Sequence, residues 1–134
     1  MHRLYDGRCH CGAVRFDAMV DIAAGTWKCN CSICAITRLW SVEAAPGNLR
    51  VLEGVEDMID YRFNSRVVHH YFCRHCGVRP FQHVELTDGR PPYYNVNSAC
   101  LEGVDVNELM AAPISYPDGL HDRWEAIPAE IRHL

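Results

Sequence analysis

No stretch of the 134-residue sequence holds the roughly 18 consecutive apolar residues that a membrane-spanning helix needs, so no membrane partner is expected. Basic residues are in short supply too. Thirteen Lys and Arg stand against seventeen Asp and Glu, a formal net charge of −4, with a pI near 6.0. That balance excludes a broad basic surface of the kind that tracks a phosphate backbone, and no nucleic-acid partner is expected. The opening Met1-His2-Arg3-Leu4-Tyr5-Asp6-Gly7 lacks the basic start and apolar stretch of a secretory signal, which makes the cytoplasm the expected location. Repeats, low-complexity tracts and linkers are missing as well. A chain of 15.3 kDa has the size of one domain, and residues 1–134 are read as a single domain.

Helical signals are few. Asp105 can cap a short helix through Asn107-Glu108-Leu109-Met110, which Pro113 would end. The segment from Trp124 to Leu134 is broken by Pro128 and reads as a short helix or a tail. Strand signals fill the rest. Between Ala13 and Val20, the apolar Val14, Phe16, Ala18 and Val20 alternate with Arg15 and Asp17, the period of a half-buried strand. Asp57 to Asn64 alternates in the same way, and Val67 to Cys73 and Tyr93 to Leu101 are rich in β-branched and aromatic residues. Leu39–Glu43 and Leu49–Leu52 are shorter candidates, divided by Pro46-Gly47. Helices do not alternate with strands, so a doubly wound α/β fold is excluded and a mainly antiparallel β fold is expected.

Against these absences stand eight cysteines. Without an export signal they are expected to stay reduced, which makes metal ligation a better account than disulfides. They fall into Cys9-His10-Cys11-Gly12, Cys29-Asn30-Cys31-Ser32-Ile33-Cys34, Cys73-Arg74-His75-Cys76-Gly77 and the solitary Cys100. A Cys-x-x-Cys-Gly turn lets two thiolates converge on one ion, with the glycine taking the tight backbone turn behind them. Cys9 and Cys11, two apart on extended chain, face the same way and can complete the set. Cys9, Cys11, Cys73 and Cys76 are therefore expected to form a closed tetrahedral shell around a structural zinc ion. Cys29, Cys31 and Cys34 deliver three thiolates from one six-residue loop. Three ligands leave a coordination position for water or substrate, as in a catalytic zinc site. An incoming thiol bound there would lose its proton, which points to sulfur chemistry.

Two other readings of the middle cluster stay open. A histidine, from among His69, His70, His75 and His83 near the third cluster, can complete a second structural zinc. A dithiol redox site is disfavoured because no βαβ pattern surrounds the loop. Cys100, within an apolar strand, reads as a small buried hydrophobe. Lys28, Arg38, Arg74 and Arg79 are candidates for binding the carboxylates of an anionic ligand, or for ordinary charge balance beside thiolates. Trp27 and Trp40 flank the middle loop, either walling a pocket or packing in the core. His70 and His75 are the only guesses available for a general acid–base.

Taken together, Gly7-Arg8-Cys9-His10-Cys11-Gly12-Ala13-Val14, the Cys29–Cys34 loop, Tyr71-Phe72-Cys73-Arg74-His75-Cys76-Gly77, Asn95–Asp105 and Asp118-Gly119-Leu120-His121-Asp122-Arg123-Trp124 resemble the glutathione-dependent formaldehyde-activating enzyme family, also called the aldehyde-activating or centromere-protein-V-like family. The resemblance implies a β-tent fold of twisted antiparallel sheets. It implies a structural zinc at Cys9, Cys11, Cys73 and Cys76 and a catalytic zinc at Cys29, Cys31 and Cys34. The implied activity is that of a carbon–sulfur lyase which joins glutathione and formaldehyde into S-(hydroxymethyl)glutathione. The partners would be a small thiol such as glutathione and a small aldehyde. The rival expectation is a non-catalytic zinc module that binds a protein partner, and a weaker one is a metal or thiol sensor.

Overall fold

A computed structural model describes residues 1–134. The chain forms ten strands and two short α-helices: β1 (Arg3–Arg8), β2 (Arg15–Val20), β3 (Thr26–Trp27), α1 (Ser32–Thr37), β4 (Ser41–Ala44), β5 (Leu49–Glu53), β6 (Met58–Tyr61), β7 (Val68–Cys73), β8 (Phe81–Val84), β9 (Tyr93–Asn97), α2 (Val106–Ala111) and β10 (Ile114–Ser115). The mainly β expectation holds. One sheet has the order β1-β2-β5 and the other β10-β3-β4-β9-β8-β7-β6. All pairings are antiparallel except that of β10 with β3.

Alternation along β2 decides how the sheets meet. Phe16, Ala18 and Val20 are fully buried and turn toward the larger sheet, where the Phe16 ring meets Phe81 of β8 edge-on at 5.3 Å between centroids, while Val14, just before the strand, is buried against Cys9 and Cys73. Val42, Ala44 and Val96 close the same core. Asp17, read from the sequence as lying on the opposite, solvent-facing side of the strand, is buried instead. It sits on the central strand of its sheet directly across from Asp6 on one side and Arg50 on the other. The Arg50 guanidinium grips its carboxylate with two hydrogen bonds, which holds the Asp17 carboxyl below the usual carboxylate range and offsets the like charge of Asp6.

The helix after Asp105 forms as expected, with the Asp105 carboxylate accepting from Asn107 N at 2.8 Å. The tail from Trp124 forms no α-helix. Strands are shorter than the sequence pattern suggests. β6 starts at Met58 after a 3-10 turn over Val55–Asp57, and β9 gives way at Ser98 to a 3-10 turn. β6 is an edge strand, so Ile59 and Tyr61 stay largely exposed despite their alternation.

β7, β8 and β9 carry the functional geography, because their two faces differ. One face holds Tyr71, Phe81, Tyr94 and Val96 against the core. By alternation the other presents His70, Gln82, Asn95 and Asn97.

Candidate metal centres

Four sulfurs meet at the end of β7. The Sγ atoms of Cys9, Cys11, Cys73 and Cys76 all lie within 4.8 Å of one another, with Cys9–Cys11 and Cys11–Cys73 separations of 3.6 Å. Zinc–sulfur bonds of about 2.3 Å in a tetrahedron require edges of about 3.8 Å, so the donor set fits a tetrahedral ion. The cysteines are all free thiols rather than disulfides. Backbone N–H groups already point at the sulfurs: Val14 N to Cys9 Sγ at 3.3 Å and His75 N to Cys73 Sγ at 3.4 Å. Burial opposes charge on Cys76, yet the backbone around Cys11 and Val78 brings its thiol down to about 6. Gly77 takes φ +75° behind the turn, the left-handed backbone that the Cys-x-x-Cys-Gly reading requires.

The second cluster straddles the start of α1. Cys29, Cys31 and Cys34 also bring their sulfurs within 4.8 Å of one another, and no His, Asp or Glu donor joins them. Hydrogen bonds with the Cys29 and Cys34 sulfurs push the Cys31 thiol down to about 2, while the same sharing pushes Cys34 and Cys29 up.

The neighbours of this cluster were hidden from the sequence. Asn30, between two of the cysteines, is buried. Its Nδ2 donates to Asp118 Oδ1 at 2.8 Å and its Oδ1 accepts from Leu120 N at 3.0 Å. Asp118 is buried too, and it also meets His121 Nδ1 at 2.9 Å. The bond from Asn30, with help from His121 and Arg123, keeps the Asp118 carboxyl below its ordinary range. The imidazole is thereby tethered through Nδ1, which leaves Nε2 free of that contact. Gly119 lies directly against Cys29, which lays the 3-10 turn Gly119–His121 over the cluster. The only signal in the sequence was the Asp118-Gly119-Leu120-His121 segment itself, with no spacing that ties it to Cys29.

Arg79 is the other surprise. Only 9% exposed, it has no carboxylate partner. Its Nη1 donates to His70 Nδ1 at 2.8 Å and to Gln82 Oε1 at 3.2 Å, and its Nη2 donates to Thr37 Oγ1 at 3.0 Å at the end of α1. Its Nε has no partner. A buried cation without a carboxylate needs compensating charge nearby. Cys31 lies within electrostatic reach of His70, the imidazole that Arg79 touches. Burial first, and then the Arg79 cation, hold His70 below its ordinary value. Phe63 stacks on its other side at 5.3 Å.

The remaining candidates divide. His75 is exposed and bonds Asp57 beside the four-cysteine cluster, away from the three-cysteine loop. Lys28 lies over the Trp40 ring at 4.5 Å, and Arg38 and Arg74 are exposed. Trp40 packs inward with its Nε1 on Thr26 Oγ1. Trp27 lines a cleft of about 260 Å³ with Gly25 and Pro113, and a second cleft of about 290 Å³ is bordered by Glu43, Arg90 and Tyr93. Tyr93 lies within electrostatic reach of Cys29, although burial is the main cause that raises its hydroxyl. Cys100 is buried in the core, which pushes its thiol up to about 11, and belongs to neither cluster.

Residues 4–114 match the family model described as glutathione-dependent formaldehyde-activating enzyme. The chain is also similar to a protein from Rhodobacter sphaeroides known from its crystal structure. The two are 34% identical with a TM-score of 0.70, over 82% of this chain and 99% of that one. All seven clustered cysteines fall inside the family match, whereas Asp118 and His121 lie beyond it.

Proposed function

The chain belongs to the glutathione-dependent formaldehyde-activating enzyme family, and on that premise we propose that it is a zinc-dependent carbon–sulfur lyase-type enzyme joining glutathione, or a similar small thiol, to formaldehyde or another small aldehyde. The reading rests on one observation. Cys29, Cys31 and Cys34 converge with no fourth side-chain donor, whereas Cys9, Cys11, Cys73 and Cys76 supply a full set. The first group is assigned to the reaction and the second to holding the fold.

Three thiolates suit zinc by number and softness, and zinc bound there supplies the positive charge that favours the thiolate form of an incoming thiol. The rest falls to the chain. The thiol sulfur attacks the aldehyde carbon, a C–S bond forms, and the electron pair of the C=O π bond moves onto oxygen, which takes up a proton. To His121, in the turn that packs against Cys29, we assign the role of accepting the thiol proton and returning it to that oxygen. Asp118, through Nδ1, holds the ring in the tautomer that does this. Asn30 positions Asp118 from inside the cysteine loop. Arg79 offsets the negative charge that three ligand sulfurs and a substrate thiolate place in the site.

The test is the rate at which the protein accelerates hemithioacetal formation from glutathione and formaldehyde, followed by exchange NMR beside a glutathione-binding isotherm. Acceleration and saturable binding, both lost in Cys31→Ser with the fold intact, support the enzyme. A protein that ignores glutathione and keeps both ions under mild chelation is a non-catalytic zinc module instead.

A further inference from the structure

A third group of metal donors shares no residue with either cysteine cluster. His69 of β7 and His83 of β8 are direct cross-strand partners, on the face of the sheet opposite His70 and Gln82. The two rings stack at 5.8 Å between centroids, with Tyr71 against His69 at 5.7 Å and Tyr94 against His83 at 4.5 Å. Both imidazoles are thus fixed by aromatic neighbours on three strands and half-buried, with 16% of each side chain exposed. Glu85 follows on the end of β8, its backbone pinned by a hydrogen bond from its N–H to Val67 O at 2.8 Å.

We propose that His69, His83 and Glu85 form a third, cysteine-free site for a divalent transition-metal ion, with Asp60 orienting His69. His69 Nε2 lies 3.4 Å from Glu85 Oε2, and His83 Nδ1 lies 3.4 Å from Glu85 Oε1. Metal bonds of about 2.1 Å to nitrogen and oxygen give tetrahedral edges of about 3.4 Å, the spacing found. All three donor atoms lie within 4.8 Å of one another.

Asp60 supplies the second argument. Its Oδ2 is 2.8 Å from His69 Nδ1, while Arg62 approaches the same carboxylate at 3.4 Å. A carboxylate that accepts the Nδ1 proton leaves the lone pair on Nε2, the atom that faces Glu85. Lone pairs of an imidazole and a carboxylate then confront each other across a gap sized for a cation. A carboxylate behind a ligand histidine is the arrangement that fixes tautomer and raises basicity in metal sites.

Two imidazoles and one carboxylate suit zinc, nickel or copper better than magnesium or calcium. Glu85 is 56% exposed, and three protein ligands leave at least one position to solvent. The site is therefore an exchangeable one on the surface of the sheet. It does not depend on the thiol–aldehyde reading, because none of its residues touches the cysteine clusters.

Cobalt titration of the intact protein, with both cysteine clusters already filled by zinc, tests the proposal. One further equivalent is expected to bind in the micromolar range with visible ligand-field bands and no sulfur-to-metal charge transfer. His69→Ala and His83→Ala should each weaken it tenfold or more, and Asp60→Asn by about tenfold, the loss expected on removing a carboxylate that orients a ligand histidine. His133→Ala, in the tail, should leave it unchanged. Absence of the extra equivalent in the wild-type protein would overturn the site. So would its persistence in the His69→Ala/His83→Ala double variant.

Discussion

Gly119 stands so close to Cys29 that a β-carbon at position 119 would lie 2.8 Å from the Cys29 sulfur, and equally close to the Trp124 indole on the other side. The contact joins a ligand candidate near the start of the chain to a turn near its end. It also brings the Asp118–His121 pair over the three-cysteine loop.

Gly119→Ala should therefore be costly for its size. Either the turn lifts or the cysteine loop shifts, an overpacking penalty of about 1–3 kcal/mol. The expected result is a lower Tm and metal loss confined to Cys29, Cys31 and Cys34, read by metal analysis and thermal unfolding. Full metal content with unchanged Tm would show that the turn does not bear on the cluster.

The two cysteine sets should respond differently to the loss of one ligand. Cys76 belongs to the group that ties β1 and the following turn to the end of β7, so Cys76→Ser should remove soluble, folded protein, since binding and folding are coupled in such sites. Cys34→Ser should give folded protein with one ion fewer. Soluble yield, circular dichroism and metal stoichiometry distinguish the cases, and equal damage from both substitutions would contradict the division of roles.

His121→Gln should leave fold and metal content intact while lowering the catalysed thiol–aldehyde addition by about 10²–10⁴, the range for loss of a general acid–base group. Asp118→Asn should lower it less and alter the pH profile, because it changes the tautomer rather than removing the ring. Unchanged rates in His121→Gln would place the proton transfer on solvent.

Stability should also depend on pH through His70. Its pKa is lowered in the folded state by burial and by Arg79, so the unfolded chain binds more protons below about 6.5, the ordinary histidine value. Its contribution is complete above that pH and is lost as pH falls toward the folded-state value. His83, lowered chiefly by burial, adds in the same direction. Denaturant unfolding above and below about pH 6.5 should show the loss, and His70→Gln should reduce the slope. An unaltered slope would show that His70 takes up its proton over the same pH range in both states.

Much of the site was legible because it is local. Cys29, Cys31 and Cys34 fall within six residues, and a Cys-x-x-Cys-Gly turn carries its own geometry, so spacing and ligand chemistry sufficed to group them. The burial of Val14, Phe16, Ala18 and Val20 followed from a period of two, and the α2 cap followed from Asp105. Even the meeting of Cys9 and Cys11 with Cys73 and Cys76 could be anticipated, since each pair is an incomplete shell that needs another. Elements without such signals were missed. β1 carries Arg3, Asp6, Gly7 and Arg8 and becomes a strand only by pairing with β2. The six-residue α1 is too short to show helical periodicity.

Sequence alone thus determined which sulfurs act together and that the scaffold is β, because those properties arise from neighbours along the chain. Tertiary structure alone decided that Asn30 grips Asp118 across 88 residues and that Arg79 is buried without a carboxylate. It also decided that His69 and His83 meet at Glu85. Each of these depends on which strands pair and which loops fold over them, and the free energy of those contacts comes from the packed whole rather than from any segment's own residues.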